Sequence, residues 1–86
     1  MKVQIKPPEY SKQAGKYLER LDKTTQQRLK DGIEKIPASD IIPYKARAGY
    51  FRLRNGVYRI LFKWLSDEQI FIALIDTRGQ AYKKGV

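Results

Sequence analysis

The stretch "YFRLRNGVYRILF", Tyr50 to Phe62, decides how this chain folds. Apolar and polar residues alternate on both sides of Asn55-Gly56, the period of a half-buried strand. Asn-Gly is the strongest short hairpin signal, because a type I′ turn needs φ > 0 at both central residues. With Asn55-Gly56 as the two-residue loop, Arg54 faces Val57, Leu53 faces Tyr58, Arg52 faces Arg59 and Phe51 faces Ile60. Residues two apart share a face, so Phe51, Leu53, Tyr58, Ile60 and Phe62 make the core side. Tyr50, Arg52, Arg54, Val57, Arg59 and Leu61 make the other. A one-residue slip would bury the arginines, which fixes the side that points inward. This pairing also sets arginine opposite arginine, normally a destabilising arrangement, with no carboxylate read across the strand to relieve it.

Downstream, Leu65-Ser66-Asp67 turns the chain, and Ile70 to Ile75 is nearly all apolar. That run predicts a third strand, central and covered on both faces. The remainder, "DTRGQAYKKGV", is a polar tail with one tyrosine. Upstream, "KVQIK" (Lys2 to Lys6) predicts a short strand with Val3 and Ile5 on one side. Pro7 and Pro8 end it, and Pro8 suits the first turn of a helix. From Glu9, the stripe Ala14, Tyr17, Leu18 and Leu21 predicts that helix. Asp22 or Thr24 caps a second, with Leu29, Ile33 and Ile36 inward. "PASDIIP", Pro37 to Pro43, is a loop that closes the helical half. The order β-α-α-β-β-β predicts an α+β fold: an antiparallel sheet with an N-terminal helical hairpin packed on one face. Tyr17 and Tyr58 are expected in the core. A length of 86 residues suits one domain over 1–86.

Composition narrows the chemistry. Apolar residues make up 42% of the chain, enough for a folded core. There is no cysteine, so disulfides and thiolate metal sites are excluded, and no histidine, the usual general base near neutral pH. No cofactor and no metal site is expected. No apolar run approaches the ~20 residues of a membrane span, and the N-terminus lacks the apolar segment of a signal peptide. The expected location is the cytoplasm.

Charge gives the functional clue. Eighteen Lys and Arg stand against nine Asp and Glu, a net of +9. Residues 1–43 carry nine basic and six acidic residues; residues 44–86 carry nine basic and three acidic. Between Ile41 and Ser66 there is no acid at all, while Lys45, Arg47, Arg52, Arg54, Arg59 and Lys63 fall there. Basic residues gathered on one sheet face create a positive field for a polyanion. Guanidinium groups grip phosphate through paired, charge-assisted bonds. Tyr50 and Tyr82 add rings on which bases can stack. That mixture points to RNA or DNA.

These residues resemble a known family. "YFRLRNGVYRILF" followed by "IFIALIDTRGQAY" is similar to the RelE toxins of bacterial toxin–antitoxin pairs. The resemblance runs over nearly the whole chain. It rests on the β-α-α order, the Leu21-Asp22 link, a strand with two basic residues, "YRILF", and the closing R-G-x-x-Y. It implies a ribosome-dependent mRNA endoribonuclease that enters the ribosomal A site and cleaves the codon there. The implied reaction is attack of the ribose 2′-hydroxyl on the adjacent phosphate, without metal, leaving a 2′,3′-cyclic phosphate and a 5′-hydroxyl. The family's catalytic positions fall on Arg52, Arg54, Arg59, Arg78 and Tyr82. Arg59 and Arg78 would clamp the scissile phosphate, Tyr82 would stack on a base and orient the nucleotide or assist a proton transfer, and Arg52 and Arg54 would hold neighbouring phosphates. Lys45, Arg47, Tyr50, Lys63, Lys83 and Lys84 would contact mRNA or ribosomal RNA. RelE itself carries lysines where this chain has Arg52 and Arg54. Arginine is a poor proton acceptor, which leaves proton transfer to ribosomal RNA or solvent. A toxin of this kind implies an acidic, RelB-like antitoxin that masks the basic face. Two alternatives share the fold: a ParE-like inhibitor of DNA gyrase and a non-catalytic RNA-binding module.

Overall fold

A computed structural model describes residues 2–36 and 41–77 of the chain. The elements run β1 (Glu9–Tyr10), α1 (Lys12–Glu19), α2 (Lys23–Glu34), β2 (Ile41–Pro43), β3 (Tyr50–Asn55), β4 (Tyr58–Ser66) and β5 (Gln69–Thr77). The strands form one sheet in the order β1-β5-β4-β3-β2. β1 runs parallel to β5, and every other pairing is antiparallel. The two helices lie on one side of this α+β fold. Ala14, Leu18, Leu29, Ile33 and Ile36 pack there against Leu53, Ile60, Phe62, Ile70, Ile72 and Ile75.

The first strand is not where the alternation of "KVQIK" predicts it. Val3 and Ile5 are exposed, and their amides donate to the carbonyls of Asp67 and Glu68 in the β4–β5 turn. Gln4 is the residue that turns inward. Its side-chain amide donates to the carbonyls of Ile33 and Ile36 at the end of α2, where carbonyls run short of α-helical partners. The true first strand, Glu9–Tyr10, occupies what reads as the opening turn of the helix. Its parallel ladder to Phe71 and Ile72 holds those two residues extended. Helix α1 therefore starts after Ser11, whose hydroxyl accepts from the Ala14 amide at 3.1 Å and donates to the Ala73 carbonyl at 2.7 Å. Asp22 caps α2, accepting from the Thr25 amide at 3.1 Å and the Thr25 hydroxyl at 2.7 Å.

Part of the expected loop Pro37 to Pro43 is also a strand. Ile41–Pro43 pairs with β3 at the edge of the sheet, where proline is tolerated because no outer neighbour needs its amide. Residues 37–40 lie outside the described residues.

The hairpin turns one step later than Asn55-Gly56. Asn55 pairs with Tyr58, so the two-residue loop is Gly56-Val57. Gly56 has φ +62°, and no non-glycine residue has positive φ among the described residues. A single positive φ at the first central position is the II′ pattern rather than I′. Arg54 thus faces Arg59, and Arg52 faces Leu61. The reason lies in the neighbours. Asn55 is held in the strand by a bond from its amide to the Arg28 carbonyl at 3.3 Å. The observed register also stacks Phe51 on Phe62, with ring centroids 5.7 Å apart, a cross-strand aromatic pair that the earlier turn would forgo.

β5 runs two residues past Ile75, and among the described residues helices cover one of its faces only. Leu61 pairs with Leu74 while Phe62 pairs with Ile72, so Ala73 is an extra residue. This bulge resets the alternation. It lets Ile70, Ile72 and Ile75 all point into the core and turns Phe71, Leu74 and Asp76 to the open side. Beyond β1, the Gln13 side chain continues the pairing along β5, accepting from the Ile75 amide and donating to its carbonyl. Among the described residues, no helix is long and apolar enough to cross a membrane.

Candidate nucleic-acid interface

The uncovered side of the sheet is organised in three cross-strand rows. Arg54, Arg59 and Asp76 form the first, running from β3 to β5. Arg52, Leu61 and Leu74 form the second. Tyr50, Lys63 and Phe71 form the third. The strands bring these residues together because each is one pleat away from a core residue. Arg52 and Arg54 flank Leu53, Arg59 and Leu61 flank Ile60, and Asp76 follows Ile75.

Arg59 sits opposite a base on one side and an acid on the other. Its Nε lies 3.5 Å from Asp76 Oδ1, with side chains 34% and 25% exposed. The expectation that no carboxylate stands across the strand is therefore overturned. Asp76 is part of β5, and it is the only acid in β3, β4 and β5. At 3.5 Å this is an ion pair rather than a well-made hydrogen bond. Asp76 Oδ1 is closed off from solvent without a hydrogen-bond partner, and so is Arg52 Nε. Buried polar groups are normally satisfied, so these two orphans mark the row ends as incomplete. The negative charge of Asp76 also reaches Tyr17. Burial pushes the Tyr17 hydroxyl up from its ordinary value, with Tyr58 and then Asp76 adding to the shift.

The third row is built differently. The Arg47 guanidinium lies 5.1 Å from the centre of the Tyr50 ring, and Lys63 Nζ lies 5.5 Å from it. Lys63 is also 5.8 Å from the centre of Phe71. Cations over rings in this range are mutually attractive. The 44–49 loop is closed by a bond from the Tyr44 amide to the Tyr50 carbonyl at 2.9 Å. Tyr44, Ala46 and Arg47 from that loop, with Tyr50, Leu61 and Leu74 from the sheet, enclose a groove of about 430 Å³. On the other flank, Lys45 and Arg52 share a second groove of about 460 Å³ with Ile42 and Tyr44. The arginine row and the two grooves together offer cations for phosphates beside apolar and aromatic walls for bases.

Of the residues singled out in the sequence, Tyr50, Arg52, Arg54, Arg59 and Lys63 share the open face, and Lys45 and Arg47 lie in the loop beside it. Arg78, Tyr82, Lys83 and Lys84 lie outside the described residues. Tyr17 and Tyr58 pack edge to face at 6.4 Å and lie half-buried against the core. Asp76, Leu61 and Leu74 were not anticipated as site residues. Asp76 reaches this face because it follows Ile75, which the bulge at Ala73 turns into the core. Among the described residues, no three acidic, histidine or cysteine side chains gather as a metal site would require.

The fold and the charged open sheet define a class: small basic α+β domains with one sheet face under a helical hairpin and the other left cationic. No protein-family model and no curated protein sequence matches the chain. Solved structures do. The RelB–RelE antitoxin–toxin complex of Methanococcus jannaschii contains a chain similar to this one, with TM-score 0.68 and 24% identity over 88% of this chain and 96% of that one. The archaeal RelE–RelB complex of Pyrococcus horikoshii contains another, with TM-score 0.64 and 26% identity over 93% of this chain and 99% of that one. The chain has the RelE fold, and the RelE-family resemblance carried by its own residues is supported.

Proposed function

We propose that the protein is the toxin of a toxin–antitoxin pair and acts as a ribosome-dependent mRNA endoribonuclease. The observation that carries this reading is the row Arg54–Arg59 with Arg52 beside it, on the sheet face opposite α1 and α2. Fixed guanidinium groups there can grip a phosphate and stabilise the extra charge of a pentacoordinate phosphorane. A groove lined by Tyr44, Tyr50 and Leu61 takes an adjoining base. Holding the 2′-oxygen in line with the leaving 5′-oxygen supplies the rest of the acceleration by positioning. The chain works as one toxin domain in the cytoplasm, with A-site mRNA and ribosomal RNA as its contacts. Arg78 and Tyr82 complete the phosphate clamp and the base stack. The RelB chains of the two similar structures support an antitoxin partner, acidic where it covers the arginine face. Binding to it is tight and weakens as salt rises.

The test is to incubate the protein with translating ribosomes and map mRNA ends by primer extension. Codon-positioned cuts, reduced about 10²–10³-fold in Arg59→Ala, are expected from the loss of one charge-stabilising donor. Intact mRNA together with gyrase inhibition would replace this reading with the ParE-like one. Intact mRNA with gyrase unaffected would leave a binding module.

A further inference from the structure

We propose that Asp76 is the proton acceptor for the attacking 2′-hydroxyl, an inference that rests on the ribonuclease reading above. The chemistry creates the need. Cleavage by a 2′-hydroxyl requires that its proton leave, yet the chain has no histidine and no cysteine. Arg52 and Arg54 cannot accept it, since a guanidinium has no free lone pair to offer. Asp76 is the one acid in the three strands that carry the arginine face. It stands in the same cross-strand row as Arg59. Directly opposed residues keep their Cβ atoms roughly 5 Å apart. A phosphate gripped by Arg59 therefore brings its neighbouring ribose to the carboxylate.

The orientation of the carboxyl group fits this role. Oδ1 faces Arg59 Nε at 3.5 Å and is closed off from solvent, while the side chain as a whole remains 25% exposed. The side chain is thus partly open to solvent on the face where a ribose would lie. Oδ1 makes no hydrogen bond, so the group is not already committed as an acceptor. A carboxylate used only as a structural counter-ion would be expected to close a short bond to its arginine.

The step balances as follows. The 2′-hydroxyl proton passes to the Asp76 carboxylate as the 2′-oxygen bonds to phosphorus. The bond from phosphorus to the 5′-oxygen breaks, and that oxygen takes a proton from water. A 2′,3′-cyclic phosphate and a 5′-hydroxyl result, and Asp76 returns its proton to solvent. The charged and titratable groups around Asp76 are Arg59 on β4, Arg54 beyond it on β3 and Tyr17 on α1; Glu9 of β1 stands at the other end of β5, opposite Phe71.

Asp76→Asn separates proton transfer from positioning. Asparagine keeps an oxygen for Arg59 Nε but cannot act as a base. Single-turnover cleavage on translating ribosomes should slow by about 10²-fold or more, the usual scale of a lost general base. Affinity for ribosomes programmed with an uncleavable 2′-deoxy codon should stay within about threefold, the scale of a charge change at a partly exposed ion pair. The rise of the wild-type rate with pH on the acid side should vanish in Asp76→Asn, and Asp76→Glu should restore part of the rate. Asp76→Asn cutting as fast as wild type would overturn this role and leave the ribonuclease reading standing. So would a loss of rate matched by an equal loss of affinity. A wild-type protein that leaves mRNA intact would overturn the ribonuclease reading and this role with it.

Discussion

The two faces of the sheet obey different rules. On the helix side, Leu53, Ile60, Phe62, Ile70, Ile72 and Ile75 are all at most 1% exposed. On the open side, arginine faces arginine, a carboxylate keeps an unsatisfied oxygen, and leucines lie half-bare among cations. On β3 and β4 the buried set follows parity: a register shifted by two still turns Leu53, Ile60 and Phe62 inward, while β5 needs the bulge at Ala73 to bring Ile75 to the same side. The open side depends on the exact register, because shifting the pairing by two positions changes which charges meet while leaving the buried set intact. A packed face thus tolerates errors that a functional face cannot, and rule-breaking concentrates where a partner supplies the missing half.

The sharpest way to break this contrast is to exchange the roles of the faces under mutation. Phe62→Ala removes a fully buried ring that stacks on Phe51 at 5.7 Å. It should cost about 3–5 kcal/mol, read by urea denaturation, and activity should fall only in step with the folded fraction. Arg59→Ala should do the reverse. Its ion pair is a third exposed, so stability should move by less than about 1 kcal/mol while cleavage collapses. If Arg59→Ala unfolded the protein as Phe62→Ala does, the open face would be structural and its reading as an interface would fail.

The register itself can be tested at the turn. Gly56 has φ +62°, and an added Cβ would meet nothing nearer than the Arg28 side chain at 3.6 Å. The cost of Gly56→Ala is therefore backbone strain, about 1–2 kcal/mol. Asn55 is a strand residue with one exposed bond to the Arg28 carbonyl at 3.3 Å. Asn55→Thr should cost less than about 1 kcal/mol. A I′ turn centred on Asn55-Gly56 would instead make both changes costly, since both positions would need positive φ.

Legibility followed the same division. The inward set Leu29, Ile33, Ile36, Leu53, Ile60 and Phe62, the cap at Asp22 and the arginine face are all readable from spacing. What escaped depends on partners distant in sequence. "KVQIK" alternates like a strand, but nothing pairs with it as a ladder, and its polar Gln4 is the residue that docks. Glu9 and Tyr10 read as helix because their strand partner lies about sixty residues away in β5. The bulge at Ala73 is invisible in an all-apolar run, and without it Asp76 cannot be assigned to the arginine face. That one extra residue separates an arginine cluster with no acid from a row that contains a candidate base.

The smallest expected effect separates acid sensitivity of the fold from acid sensitivity of the site. Asp22 is held below its usual value of 3.8, first by the bond from the Thr25 hydroxyl and then by the Thr25 amide. A carboxyl group depressed in the folded state adds stability that is present above its unfolded value and lost as pH falls through its lower folded value. Acid should therefore loosen the start of α2 at and below pH 3.8 in the wild type. Asp22→Asn still offers an oxygen to the Thr25 amide, since asparagine is as good a cap as aspartate, but it does not titrate. Amide exchange at Thr25 and Gln26 should show that acid step in the wild type and not in the variant. The acid limb of the cleavage rate, by contrast, should be unchanged in Asp22→Asn, because Asp22 caps a helix on the far side of the sheet from Arg59. A shift in the activity profile would mean that helix fraying reaches the open face and that the two faces are energetically coupled.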